Sequence, residues 1–216
     1  MLPKLKSAIT AAAAVAALAG LAGAAMAQSG EPIKIGLINV LSGAFGAYGK
    51  SGKQGAELAI DEINAAGGVL GRKIVFIQVD DQGKPDVSTQ EARRLILNEK
   101  VNFVVGIDSS SAALAVAPLT NEFKIPLIVT HAATPKLTEG CMPYVFRTSN
   151  NARMDAIAAA ELAAKLPYKR WANIGPDYEF GHVSWEDFIA RLKQLKPDVE
   201  VVSEQWPKGN ESNYTP

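Results

Sequence analysis

Cysteine and histidine are almost absent from this chain: one cysteine, Cys141, and two histidines, His131 and His182, stand among 216 residues. A disulfide framework inside the chain is thereby excluded, and His131, His182 and Cys141 lack the spacing of a metal site. A surplus of either charge is missing too, since 22 lysines and arginines balance 22 aspartates and glutamates. Without a basic stripe or an acidic tract, neither a nucleic acid nor a strongly cationic partner is expected. Internal repeats and low-complexity stretches are also lacking after the first residues. What is there begins with a hydrophobic run at the very start.

Lys4 and Lys6 precede an alanine-dominated run from Ala8 to Ala25, and Ala25-Met26-Ala27 supplies small residues around a cleavage point. Residues 1–27 therefore read as a secretory signal peptide cut before Gln28. An uncleaved anchor is the competing reading, but alanine contributes little transfer energy and Gly20 and Gly23 dilute the run. No cysteine follows the cleavage point, which argues against a lipid anchor. In an oxidising compartment Cys141 is expected to be a buried, inert thiol. The alternative is a disulfide partner beyond Pro216.

From there strand and helix patterns alternate. Residues 33–40 read as a buried strand, 50–66 as a helix with Ala56, Ala59, Ile60 and Ile63 on one face, and KIVFIQV as a second strand ending in Asp80-Asp81. A helix over 86–100 follows, with Asp86, Ser88 and Thr89 as capping candidates. Strand NFVVG, helix SAALAVAPLTNEF (which Pro118 should kink or shorten) and strand IPLIVT bring the first sheet to four strands. Such a βαβ series gives a parallel sheet with helices on both faces. The rhythm changes around YVFRTSNNARMD, and a second series follows: a helix over 153–166 with Met154, Ile157, Ala158, Leu162 and Leu166 at helical spacing, strand KRWANIG, helix VSWEDFIARLKQL and strand EVVSEQW. A lobe boundary is expected near Ser149, giving lobes over 28–148 and 149–216.

Three strands end in small or hydroxyl-bearing residues: IKIGLINV into LSGAFGAYG, NFVVG into IDSSS, IPLIVT into HAATPK. The carboxyl ends of parallel strands line one crevice, so these endings describe a ligand site built from loops. Ser42, Tyr48, Ser109, Ser110, Ser111, Thr130 and Thr134 make it polar and uncharged, suited to holding a small molecule by hydrogen bonds rather than breaking one. Ser110 and Ser111 lie where a strand feeds a helix start, which attracts an anion. A serine there also caps a helix without any ligand, but capping requires only one of the three.

Other chemistries fit less well. SGAFGAYGKS resembles a phosphate loop, yet Ala44 replaces its first glycine. Asp108, a serine and His131 would make a hydrolase triad by residue type alone, since GIDSS lacks the G-x-S-x-G turn. Asp80-Asp81 reads as a strand-end cap rather than an acid pair.

The stretch IKIGLINVLSGAFGAYGKSGKQGAELAIDEINAAGGVLGRKI, then VDDQGKPDVSTQEARRLI, VVGIDSSS, THAATPKLT, YVFRTSN and GPDYEFG, resembles the periplasmic substrate-binding proteins of branched-chain amino acid ABC transporters, the Leu/Ile/Val-binding protein family. The resemblance implies an α/β, type I periplasmic binding protein fold: two doubly wound parallel-sheet lobes around a cleft, with the second half of that fold beyond Pro216. It implies a periplasmic, non-enzymatic protein with no cofactor, no metal and no nucleic acid, monomeric at full length. Such a protein passes an amino acid or a related small carboxylate or amide to the membrane permease of an importer. By the resemblance, Ser110 and Thr134 hold the ligand carboxylate, the Ala132 carbonyl receives the ammonium, Tyr48 touches the ligand side chain, and Phe180 swings over the cleft. Tyr178, Ser109 and Ser111 are neighbouring candidates. Ser110→Ala or Thr134→Ala is then expected to weaken binding while leaving the unliganded protein's melting little changed. The other classes considered are a secreted α/β hydrolase using a serine of IDSSS and a sensor domain presenting ligand to a receptor.

Overall fold

A computed structural model describes residues 30–208. The signal peptide, its cleavage point and the terminal NESNYTP lie outside the described residues. Strands and helices alternate as β1 (Ile33–Asn39), a 3-10 turn (Gly43–Phe45), α1 (Gly46–Ala65), β2 (Ile74–Asp80), α2 (Pro85–Leu97), β3 (Phe103–Gly106), α3 (Ser110–Glu122) and β4 (Leu127–Val129). After these come α4 (Lys136–Glu139), β5 (Val145–Arg147), α5 (Ala152–Ala163), β6 (Arg170–Ile174), α6 (Glu179–Leu195) and β7 (Glu200–Gln205).

The first sheet has the order β2-β1-β3-β4-β5, and β6 pairs with β7 in a second. β1–β3, β3–β4, β4–β5 and β6–β7 are all parallel pairs. The chain leaves β1 toward β2 on one side and then returns to place β3 on the other. That reversal is a topological switch point, and it opens a crevice at the carboxyl ends of β1 and β3.

The described residues fall into two compact units. One comprises residues 30–33 with Glu57–Val75, where Asn64 closes two hydrogen bonds on the backbone of Ile74 (both 2.8 Å) and Gly68 at φ +80° turns the chain. The other comprises Lys34–Ala56 with residues 76–208 and carries both apolar cores. Ile38, Leu95, Val104, Ile107, Val116, Leu127 and Val129 build the first around β1, β3 and β4. Ala160, Ala163, Leu192 and Val199 build the smaller one, with Trp171, Phe188 and Ile189 packed against it.

Several expectations change. The first sheet has five strands, because Val145–Arg147 pairs with Leu127–Val129 where only a change of rhythm was read; three residues are too short to show alternation. None of the three capping candidates caps α2: its cap position is Lys84, without a side-chain bond, and Pro85 begins the helix. Ser88 instead donates to Asp81 Oδ2 at 2.8 Å. α3 runs through Pro118 to Glu122, so the proline does not shorten it. On α1, Ala59 and Ile63 are exposed. On α5 the large residues at helical spacing are exposed (Leu162 at 66%), while Ala152, Ala156, Ala160 and Ala163 form the buried face that packs on α6. Cys141 is exposed rather than buried.

Gly49 belongs to packing rather than to phosphate chemistry. It sits in the first turn of α1 against the end of β1, where a β-carbon would stand 2.1 Å from the Val40 carbonyl oxygen. Gly49→Ala should destabilise the fold by about 1–3 kcal/mol, the usual cost of overpacking, read as a lower denaturant midpoint. A midpoint equal to wild type would show that α1 moves off the strand freely.

The acid pair is structural, and its members differ. Burial opposes ionisation of Asp80, but bonds from the Leu41 and Gln82 amides and from Ser42 outweigh it and lower its pKa. In the fully buried Asp81, burial prevails over the bonds from Gly83 and Ser88, and Asp108 and Asp80 add repulsion, so the pKa is raised. A raised folded pKa means that stability is lost as pH climbs from the ordinary value of 3.8 through the folded one. Asp81→Asn should remove that loss, leaving the variant at least as stable as wild type at neutral pH in parallel denaturation curves. An unchanged pH dependence would count against burial as the cause.

Candidate functional site

The site is assembled where β1 leaves the sheet. Val40 N–H donates to Asp108 Oδ2 (2.8 Å) and Leu41 N–H to Asp80 Oδ1 (2.9 Å), so carboxylates from both flanking strands fix the exit loop. Past β3 the backbone is strained. Gly106 has φ +110°, and Ile107, a fully buried β-branched residue, has φ +62°. The Ile107 amide nevertheless donates to Ile38 O (2.7 Å) and its carbonyl accepts from Ala132 N–H (3.1 Å), which ties the ends of β1, β3 and β4 together.

The three serines divide their labour. Ser109 caps α3, accepting from Ala112 N–H at 3.4 Å. Ser110 is buried, and its Oγ accepts from the Ala133 and Thr134 amides (both 3.2 Å). Ser111 is half-buried in the first turn of α3. Thr134, also fully buried, donates from Oγ1 to Glu179 Oε1 at 2.9 Å. Lys136 reaches the same carboxylate, with Nζ 3.0 Å from Oε1 and 3.2 Å from Oε2. Both hydroxyls assigned to a ligand carboxylate are therefore already engaged. Ser110→Ala would strand two amides in the interior, so for that variant a lower melting temperature of the unliganded protein replaces the expectation of little change.

Behind this loop lies Arg147, whose guanidinium donates to the carbonyls of Ala132 (3.3 Å), Asn150 (3.4 Å) and Thr134. Burial lowers its pKa. The Ala132 carbonyl thus serves an internal cation here.

Aromatic rings continue the site. Tyr48 is 56% exposed and meets His131 edge-on at 6.1 Å, and Phe45 links it to Tyr178 with centroids 6.3 Å and 6.4 Å away. Tyr178 in turn lies 6.0 Å from Phe180, and its phenol is pushed up by burial and then by Tyr48. Phe180 also lines an apolar groove of about 350 Å³ with Pro176, Trp185 and Phe188. Tyr48, Ser110 and Thr134 are not among the residues that line that groove.

His131 Nδ1 stands 3.3 Å from Asp108 Oδ1, which is the acid–base half of a triad. The Ser109 and Ser110 hydroxyls, however, receive backbone amides instead of meeting the imidazole. His182 pairs with Asp177 at 2.9 Å and lies over Trp206, with centroids 4.1 Å apart. Among the described residues no cluster of three or more metal-ligating side chains occurs. Sequence reasoning missed Arg147, Glu179 and Phe45, although each lies inside a segment that carried the resemblance: FRT, DYEF and GAF.

Known proteins resemble this chain in sequence and in fold. The chain is 36% identical over 138 residues to a Leu/Ile/Val-binding protein of Rhizobium johnstonii, a stretch that covers 63% of this chain and 37% of the relative. Among solved structures, an ABC-transporter solute-binding protein of Rhodopseudomonas palustris in complex with 3,4-dihydroxybenzoic acid superposes with a TM-score of 0.73 at 34% identity, covering 82% of this chain and 47% of that one. A branched-chain amino acid transporter substrate-binding protein of Streptococcus pneumoniae, in complex with isoleucine, gives 0.74 at 27% identity, covering 85% and 51%. The chain therefore spans between about a third and a half of the length of the relatives it matches. A switch-point site lined by serines and a threonine, in a β2-β1-β3-β4-β5 sheet, accords with the match of residues 32–216 to the model of the periplasmic binding proteins, and the chain belongs to that family.

Proposed function

We propose that this chain is part of an extracytoplasmic solute-binding protein that captures a small carboxylate, an amino acid or an aromatic acid, and hands it to the permease of an ABC importer without chemical change. One observation carries the reading. Thr134 and Lys136, beside the buried Ser110, hold a carboxylate in this structure, that of Glu179. Relatives crystallised with 3,4-dihydroxybenzoic acid and with isoleucine bind ligands that share only the carboxylate with one another. The carboxylate end is thus the common feature, and the aromatic set of Phe45, Tyr48, Tyr178 and Phe180 is where side-chain preference would be decided.

In this reading Ser110 and Thr134 receive the carboxylate, with Ser109 and Ser111 at the same helix start, and the Ala132 carbonyl is the candidate acceptor for an ammonium. Residues 28–148 and 149–216 belong to two lobes that close on the ligand about a hinge near Ser149. Export follows cleavage after Ala27, and the working unit is a monomer with no nucleic-acid partner.

Thr134→Val keeps the shape and removes the donor, so it should weaken carboxylate binding by at most about tenfold, the equivalent of one hydrogen bond to a charged group, and by less to the extent that the Glu179 bond is lost with it. Ser110→Ala should weaken binding to a similar degree and also lower the melting temperature, because two amides lose their acceptor. Calorimetric titration of wild type and both variants with 4-hydroxybenzoate and L-isoleucine checks this. Equal affinities in all three would remove these hydroxyls from the site.

A thermal-shift screen addresses selectivity. Benzoates and apolar amino acids should raise the melting temperature at lower concentration than aspartate, lysine or a sugar does, since a ligand bound only by the native state stabilises it. A preference for a charged side chain or a sugar would sink the aromatic assignment.

A further inference from the structure

From the engagement of Thr134 and Lys136 we infer that Glu179 is an internal competitor for the carboxylate subsite. The inference rests on the functional reading above and names a residue that sets affinity within it. Thr134 is fully buried, and a buried hydroxyl must find a partner whether or not a solute is present. Glu179 supplies that partner from the first turn of α6, with Oε1 2.9 Å from Thr134 Oγ1. Lys136 closes over both of its oxygens at 3.0 and 3.2 Å.

The geometry resembles what a bound acid would require: a hydroxyl donor and an ammonium on one carboxylate. A solute acid can use these donors only if Glu179 leaves, and in leaving it gives up the same kinds of contact that the solute gains. The net exchange is small. Glu179 therefore lowers the apparent affinity by the fraction of molecules in which it occupies the subsite. Its departure also breaks the Thr134 and Lys136 contacts of Tyr178–Phe180, the segment that carries the two aromatic candidates. Displacement would thus free the aromatic rings at the moment the acid arrives.

Calorimetric titration of the full chain with benzoate, 4-hydroxybenzoate and L-isoleucine tests this in wild type, Glu179→Gln and Glu179→Asp. Both variants should bind the acids more tightly, by about threefold to tenfold, because neither presents a full-length carboxylate to Thr134. Glu179→Asp keeps the negative charge but falls one methylene short, so tightening in Glu179→Gln alone would mean general repulsion of anions and would overturn the competition. Unchanged or weaker binding in both variants would overturn it too, while leaving the solute-binding reading in place. If neither wild type nor variants bind any of the three acids, the functional reading falls and the competitor role falls with it. A folded state for each variant is confirmed by a cooperative melt before titration.

Discussion

Two aspartates, one from each neighbour of β1, hold the chain as it leaves the sheet. Asp80 at the end of β2 takes the Leu41 amide, and Asp108 beyond β3 takes the Val40 amide. At the end of a parallel strand the ladder stops and the next amides have no strand partner, so a carboxylate on each side substitutes for it. Everything at the crevice follows from this arrangement. The exit loop is held at two successive amides, Gly49 lets α1 close on Val40, and Phe45 and Tyr48 lie where they meet Tyr178 and His131. The strain at Ile107 belongs to the same device, since the turn out of β3 presents Asp108 to β1.

The corner around Ser110, Thr134 and Arg147 shows how buried polar groups of a loop are satisfied from within the chain. Ser110 satisfies the Ala133 and Thr134 amides, Arg147 gathers the Ala132 and Thr134 carbonyls, and Glu179 satisfies the Thr134 hydroxyl. The Ala133 and Thr134 amides, the Ala132 and Thr134 carbonyls and the Thr134 hydroxyl thus each have a partner. Burial makes that necessary, because an unpaired buried group costs roughly 1–3 kcal/mol.

Much of this was legible in the sequence for reasons that can be named. Long apolar runs bounded by turn residues identified β1, β2 and β3, and the small and hydroxyl-bearing endings placed Ser110 and Thr134 at the strand ends. β5 was not legible, since three residues carry no period and only pairing with β4 makes them a strand. The face of α5 was misjudged because hydrophobicity was weighed by size, whereas the face buried on α6 is made of alanines. Glu179 and Arg147 could not be assigned, because their partners are 45 and 13 to 15 positions away in the chain. Long-range polar pairs leave no local signal.

The seam between α5 and α6 has a further consequence. Ala152, Ala156, Ala160 and Ala163 have no rotamers to lose, so the α5 side of this contact is made without side-chain ordering cost. The bulk comes from α6, with Leu192, Phe188 and Ile189, and the pairs Arg153–Asp187 and Arg191–Glu161 bridge the two helices at its edges. The register of the two helices is therefore written in charge rather than in shape, so screening by salt should loosen this seam before it loosens the aliphatic core of the first sheet.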